Sequence, residues 1–198
     1  MPLALVLLTG ISACKGSNQS GARDSAANAQ KADTSAPGAA TAAAPRAGMT
    51  DSNIVALLDE SNKADSASGA LALKKATRTD VKNFAKLMMS EHHALRAQGQ
   101  ALAKQLGVTP KLPEKDPLAP YAASEAKALQ TTKKGPEFDR TYIDNEVSVH
   151  QAVLDFANQA RVSTQTAQLR DLIQKAIPVI QKHLDQAQAI QKQISPST

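Results

Sequence analysis

The sequence contains one cysteine and no tryptophan, and only 3% of its 198 residues are aromatic. A single cysteine excludes an intrachain disulfide framework and any zinc or iron–sulfur site built on several cysteines. The shortage of aromatic residues argues against an all-β sandwich, whose strands are enriched in them. Hydrophobic residues nevertheless make up 42% of the chain. The composition therefore favours a small all-α domain rich in good helix formers.

The chain also has no concentrated charge and none of the familiar catalytic motifs. Lysine and arginine number 23 against 18 aspartate and glutamate residues, but this surplus is spread along the sequence. Nucleic-acid-binding proteins concentrate positive charge on one face, so we expect no nucleic-acid partner. A glycine-rich phosphate loop, a Gly-x-Ser-x-Gly elbow and a His-Glu-x-x-His motif are all missing. These absences favour a binding or interaction module and leave enzymatic activity open.

The N-terminus indicates export and a lipid anchor. The apolar run from Leu3 to Leu8 is far shorter than the ~20 residues that a membrane-spanning helix needs. A tetrad of Ile, Ser, Ala and Cys then ends at Cys14, and residues 1–13 resemble a bacterial lipoprotein signal peptide. The resemblance implies that residues 1–13 are removed and that Cys14 is lipidated and attaches the protein to a membrane. Lys15 stands where an aspartate would retain such a lipoprotein in the inner membrane, so the expected location is the periplasm at the outer membrane.

A linker is predicted between this signal and the folded part of the chain. Residues 15–49 contain no valine, isoleucine, leucine or aromatic residue, and twelve of them are alanine. Such a segment cannot bury enough apolar surface to offset the entropy lost on ordering. We therefore expect a lipidated Cys14 followed by a flexible linker over residues 14–49, and a folded domain over residues 50–195.

Helical periodicity begins at about residue 50 and continues to the end of the domain. Apolar residues recur at three- and four-residue steps, which is typical of amphipathic helices. Four such helices bury their apolar faces most simply as a four-helix bundle, and residues 121–133 add a short helix in the long connection. The predicted long helices run from Thr50 or Asp51 to the break at 77–79, from Thr79 to Gly107, from Pro136 to about Ala160, and from about Thr164 to Ile194.

Several polar residues fall on or beside the apolar faces of these helices. Buried polar groups need partners, so a hydrogen-bond network that fixes helix register is one interpretation. Imidazole and carboxylate together also suit a divalent transition metal such as zinc, copper, iron or manganese, and the two interpretations stand close to even. The candidate metal ligands are His92, His150, His183, Asp139, Glu146 and Asp65, and the residues assigned to a buried polar network are Tyr142 and Glu91.

A count along the helices places the histidines at two levels. His150 lies 13 residues before Ser163, whereas His183 lies 20 residues after it. At about 1.5 Å of rise per residue, this difference corresponds to roughly 10 Å. We therefore expect two smaller clusters of polar residues in place of one compact site.

Three separated segments resemble the domain of unknown function 4142 family, which is regarded as ferritin-like and is common among exported bacterial proteins. The resemblance covers about residues 52–194 and implies a ferritin-like fold and an extracytoplasmic location, but no activity. The Glu-x-x-His pairs of ferritin-like di-iron sites are absent. The family's recurring polar positions correspond to His92, Asp139, Tyr142, His150 and His183. The segments that carry the resemblance are Val81–Ala85 with Met88 and Glu91-His92, Phe138–Ile143 with Val147 and His150, and Ile177–Val179 with His183-Leu184.

Overall fold

The computed structural model describes residues 49–194, and within that range the chain forms five α-helices and no strand. The predicted all-α class is confirmed, and the short helix expected over 121–133 is α3. The predicted signal peptide, Cys14 and nearly all of the predicted linker lie outside the described residues. The helices are α1 (Asp51–Lys75), α2 (Thr79–Leu106), α3 (Ala119–Thr131), α4 (Pro136–Ser163) and α5 (Ala167–Ile194).

The ends of α1 and α2 follow their local sequence. Thr50 caps α1 in a reciprocal pair, because its hydroxyl accepts from the Asn53 backbone N–H while the Asn53 side-chain oxygen accepts from the Thr50 N–H. Gly107 ends α2 in the left-handed conformation, with φ of 65°. Glycine adopts this backbone conformation without the steric cost that a side chain would add.

The turn between α4 and α5 lies later in the chain than the sequence predicted. α4 continues to Ser163 and α5 begins only at Ala167. The carboxylate of Asp51 accepts hydrogen bonds from the Thr164 hydroxyl and from the Thr166 backbone N–H, at 2.7 and 3.2 Å. These contacts hold the turn against the start of α1 and satisfy the Thr166 N–H group, which lies just before α5 and has no acceptor within that helix.

The four long helices pack in two pairs. α1 lies along α2, α4 lies along α5, and α3 packs against α4 and α1. Gly69 allows the close approach of α1 to α2, because a Cβ atom there would stand 2.9 Å from the Met89 Cγ and 3.0 Å from the Ala85 carbonyl oxygen. A larger residue at this position would push the two helices apart.

Lys75 fastens the end of α3 to α1. Its ammonium group donates to the carbonyl oxygens of Leu129, Gln130 and Thr132 at 2.8, 3.0 and 2.9 Å. The last carbonyls of a helix have no partner within the helix and carry partial negative charge. A single cation therefore satisfies three acceptors at this end of α3.

The apolar core is divided into two clusters with a polar layer between them. Leu57, Val153 and Ile180 belong to one cluster, and Phe84 and Ile143 belong to the other. On each long helix the ionisable residues of this polar layer lie in sequence between members of the two clusters. These residues are Asp65 on α1, His92 on α2, Glu146 and His150 on α4, and His183 on α5.

Within residues 49–194, none of the helices combines the length and the hydropathy that a bilayer-spanning segment requires.

Candidate metal centre

The three histidines of the polar layer meet at one place. Their ring centroids are separated by 5.5 Å for His92 and His150, 5.1 Å for His92 and His183, and 5.4 Å for His150 and His183. Each histidine is at most 4% exposed to solvent. The two separate clusters expected from the residue count were wrong, and we refer to these residues as the histidine trio.

The residue count failed because it placed the turn between α4 and α5 too early in the chain. The count treated Ser163 as the turning point, whereas the chain reverses over residues 164–166. Measured from the helix ends, His150 lies 13 residues before Ser163 and His183 lies 16 residues after Ala167. The remaining difference is roughly 4 to 5 Å of helix rise, which two imidazole side chains can span.

Hydrogen bonds orient one nitrogen of each imidazole and fix its tautomer. The side-chain N–H₂ of Asn62 donates to the Leu58 carbonyl, so its oxygen faces the Nδ1 of His92 at 2.9 Å and can only accept. Nδ1 of His92 must therefore carry the proton. This arrangement leaves Nε2 of His92 with a free lone pair.

The same logic applies to His150 and His183. Nδ1 of His150 donates to the backbone carbonyl of Glu146 at 2.9 Å, and Nε2 of His183 donates to the Glu91 carboxylate at 2.5 Å. The opposite nitrogens, Nε2 of His150 and Nδ1 of His183, are buried and have no hydrogen-bond partner among the described residues. Nε2 of His92 has none either.

The spacing of the trio suits a metal ion. One nitrogen from each of the three rings lies within 4.8 Å of the other two. Nitrogens that share a zinc ion at about 2.1 Å are roughly 3.4 Å apart in tetrahedral geometry, so the trio would have to close by at most about 1.4 Å. Small changes in side-chain torsion angles accommodate a movement of this size.

Two buried carboxylates lie beside the trio. Asp65 places one carboxylate oxygen 3.6 Å from Nε2 of His92, and its other oxygen has no hydrogen-bond partner among residues 49–194. Glu146 is fully buried one turn before His150, with a carboxylate oxygen 3.2 Å from Nδ1 of that ring. Ligand atoms of Asp65, Glu146 and His150 form a second group within 4.8 Å of one another.

Glu125 is a member of the site that the sequence analysis missed. It lies on α3, is only 3% exposed, and has one carboxyl oxygen without a hydrogen-bond partner among the described residues. It interacts electrostatically with Glu146 and Asp65. Asn62, which orients His92, was missed as well, because neither residue stands on a clear apolar face in the sequence.

Asp139 is buried but lies elsewhere. Its carboxylate accepts hydrogen bonds from the backbone N–H groups of Thr77 and Arg78 at 2.7 and 3.0 Å, and from the Thr77 hydroxyl. It precedes His150 by 11 residues, which is roughly 16 Å along α4. The structure therefore does not bring Asp139 to the histidine trio, and its carboxylate holds the connection between α1 and α2.

Burial keeps two of the three histidines neutral. It lowers the pKa of His92 to about 4 against the attraction of Asp65, and it also lowers the pKa of His183 despite the hydrogen bond to Glu91. For His150 burial acts in the same direction, but Asp65 and Glu146 outweigh it and raise the pKa to about 9. A metal ion at the trio would take the place of the proton on His150.

The carboxyl groups differ in the direction of their pKa shifts. Burial disfavours the charge on Asp65, yet the neighbouring histidines hold its pKa below the usual range. Burial together with repulsion from Asp65 raises the pKa of Glu146 to about 7. Burial and repulsion from Glu146 raise the pKa of Glu125 to about 9, so that this group holds a proton at neutral pH. Burial and the neighbouring charge of Glu146 also raise the pKa of Tyr142.

A small cavity lies beside the trio. Its volume is about 50 Å³, and its lining includes His92, His150 and Asp65. Most of the other lining residues are apolar, and Arg96 and Asp59, which form an ion pair, also line it. An ion at this cavity must shed most of its water, because the walls offer few polar partners.

Comparisons with known proteins support the fold and the family resemblance. A family model described as "Domain of unknown function (DUF4142)" matches residues 36–190. Among solved structures, the chain is similar to one described as "CopM in the Cu(II)-bound form", with a TM-score of 0.58 and 17% sequence identity over 73% of this chain and 98% of that chain. At this identity the likeness shows the fold alone. No curated protein matches the chain.

Proposed function

The chain belongs to the DUF4142 family, and from the geometry of its buried histidines we propose that it binds a divalent transition metal ion through His92, His150 and His183. Asp65 supplies the nearest carboxylate and is the candidate fourth ligand. The proposed function is binding, in keeping with the absence of catalytic motifs from the sequence.

One observation carries this proposal. Each ring of the trio has one nitrogen oriented by an acceptor and the other nitrogen buried without a hydrogen-bond partner among the described residues. Metal-binding histidines show this pattern, since a carbonyl or carboxylate usually accepts from the nitrogen opposite the metal. A pure hydrogen-bond network would leave one buried ring nitrogen of each histidine without a partner among the described residues, at a cost of ~1–3 kcal/mol each.

Copper and zinc are the metals that this donor set suits best. Imidazole nitrogens favour both, and copper binds more tightly than zinc to most sites of this kind. The similar structure described as CopM is in its Cu(II)-bound form. We therefore propose Cu(II) as the first ion to test and Zn(II) as the second.

The finer aspects of fold and location are also proposals. The four long helices and their pairing support a ferritin-like four-helix bundle, with α3 in the connection between its halves. We further propose that Cys14 is lipidated and that the domain lies in the periplasm, anchored at the outer membrane. Labelling cells with a palmitate analogue tests the anchor, because Cys14→Ser should lose the label that the unaltered protein carries.

Metal binding is tested by calorimetric titration of the protein with Cu(II) and Zn(II), after purification without an affinity tag or chelator. The structure offers a matched pair of variants on α2, His92→Ala and His93→Ala. His92 is buried in the trio, whereas its neighbour His93 is exposed. We expect His93→Ala to bind like the unaltered protein and His92→Ala to lose at least about tenfold in affinity.

The competing interpretation, a structural network without metal, makes a different forecast. It expects no uptake of either ion and a loss of stability in His92→Ala that added metal does not change. Equal binding by His92→Ala and His93→Ala would also reject the proposal, because the ions would then be held by surface groups.

A further inference from the structure

We propose that the buried carboxylates beside the trio form a second cation site, selective for a hard divalent ion such as Mn²⁺. Asp65 and Glu146 provide the central ligands, and Glu125 approaches from α3. The site goes beyond the histidine trio, because its proposed ligands are carboxylate oxygens and because Glu125 lies on α3, which contributes no histidine.

The geometry supports a distinct position. Ligand atoms of Asp65, Glu146 and His150 lie within 4.8 Å of one another, as a second group that shares only His150 with the trio. Asp65 stands between the two groups, since one of its oxygens faces His92 while the other has no hydrogen-bond partner among the described residues. Its two oxygens can therefore serve a different ion each.

Burial makes a cation the natural partner of these groups. Asp65, Glu125 and Glu146 are 3%, 3% and 0% exposed, and they come from three different helices. Concentrating carboxylates away from water is costly unless protons, cationic side chains or metal ions compensate the charge. No lysine or arginine contacts them in the ion pairs of residues 49–194.

Ligand chemistry separates the two positions. Carboxylate oxygens suit Mg²⁺, Ca²⁺ and Mn²⁺, whereas imidazole suits copper and zinc. The unpartnered oxygen of Glu125 is buried and belongs to α3, a helix that contributes no histidine. Glu125 therefore marks the carboxylate site without being a candidate ligand of the trio.

The test is Mn²⁺ binding to the full chain, measured from the loss of the free Mn²⁺ signal in electron paramagnetic resonance, first without Zn(II) and then as Zn(II) is added to saturation. Glu146→Gln and Glu125→Gln keep the side-chain shapes but cannot ionise to a carboxylate, and Glu137→Gln alters an exposed glutamate of α4 as the matched control. We expect one Mn²⁺ ion per chain, at least about tenfold weaker binding in both buried variants, and no change in the control.

Three results would overturn the inference. The first is no Mn²⁺ binding, which would mean that protons alone compensate the charge of the carboxylates. The second is equal Mn²⁺ binding by Glu146→Gln and Glu137→Gln. The third is release of Mn²⁺ in proportion to added Zn(II), which would mean that both ions share a single position. His183→Ala distinguishes this inference from the proposed function. This variant should lose Cu(II) and Zn(II) binding at the trio and retain Mn²⁺ binding. The proposed function and this inference can therefore be refuted independently of each other.

Discussion

Replacing Asp139 by asparagine should destabilise the domain strongly and leave metal binding intact. The Asp139 carboxylate is fully buried and accepts three hydrogen bonds from Thr77 and Arg78. Hydrogen bonds to a charged group contribute ~1.5–3 kcal/mol each. Asparagine keeps one acceptor oxygen but turns an N–H₂ group toward backbone donors, while water can reach the exposed residues 77 and 78 and recover part of the loss. We therefore expect a net loss of ~3 kcal/mol in the free energy of unfolding.

Thermal unfolding followed by circular dichroism measures this effect. For a domain of this size, ~1 kcal/mol corresponds to a shift in Tm of about 2–4 °C, so Asp139→Asn should lower Tm by about 10 °C. Asp155→Asn is the matched control, since Asp155 is an exposed residue of the same helix that accepts one bond from Gln151. An Asp139→Asn protein with the Tm of the control and with impaired Cu(II) binding would refute the reasoning and return Asp139 to the metal ligands.

The remaining predictions concern helix packing, pH and the orientation of a ligand. Gly69→Ala should lower the free energy of unfolding, measured by urea titration, by ~1–3 kcal/mol through overpacking. Gly99→Ala should raise it by ~0.5–1 kcal/mol in the same titration, because an added Cβ atom there meets nothing within 4 Å. Equal signs for the two glycines would contradict the packing described for α1 and α2. Hydrogen bonds lower the pKa of Asp51 below 3.8 despite its burial, so its contribution to stability is present above about pH 4 and is lost as the pH falls through the lowered value. Urea unfolding at about pH 5 and pH 3 should therefore show a smaller pH effect in Asp51→Asn than in the unaltered protein. Glu91→Gln should weaken Cu(II) binding about 10- to 100-fold in calorimetry, because Glu91 orients His183, and unchanged affinity would show that this orientation does not matter.

The helices could be predicted from the sequence because their signals are local. Thr50, Gly107 and Pro136 mark helix ends through the backbone chemistry of single residues, and the apolar steps between them report one face of each helix. The turn at residues 164–166 could not be placed in this way. Its position depends on the carboxylate of Asp51, which is more than 110 residues away in the chain.

The sequence identified most of the ionisable residues of the core but did not predict which of them lie close together. His92, His150 and His183 stood out because a polar residue on an apolar face is unusual. Asp139 shares that face of α4 but lies two turns before Glu146, and face alone carries no information about distance along the helix. Glu125 gave no signal, since one glutamate in a short alanine-rich helix has the sequence pattern of an exposed surface residue.

The hydrogen bonds from Lys75 to the end of α3 affect the lifetime of a bound ion. Every candidate ligand in the polar layer is at most 4% exposed, so ions exchange only as fast as the protein opens around them. α3 is the shortest of the five helices and carries Glu125, and three hydrogen bonds from one ammonium group hold its end. Detachment of this helix is a smaller event than unfolding of the domain, and it would set the lifetime of an ion on the carboxylate side. We expect Lys75→Met to shorten that lifetime while the equilibrium ligands stay the same. The unaltered protein would then release its metal ion more slowly than the variant does.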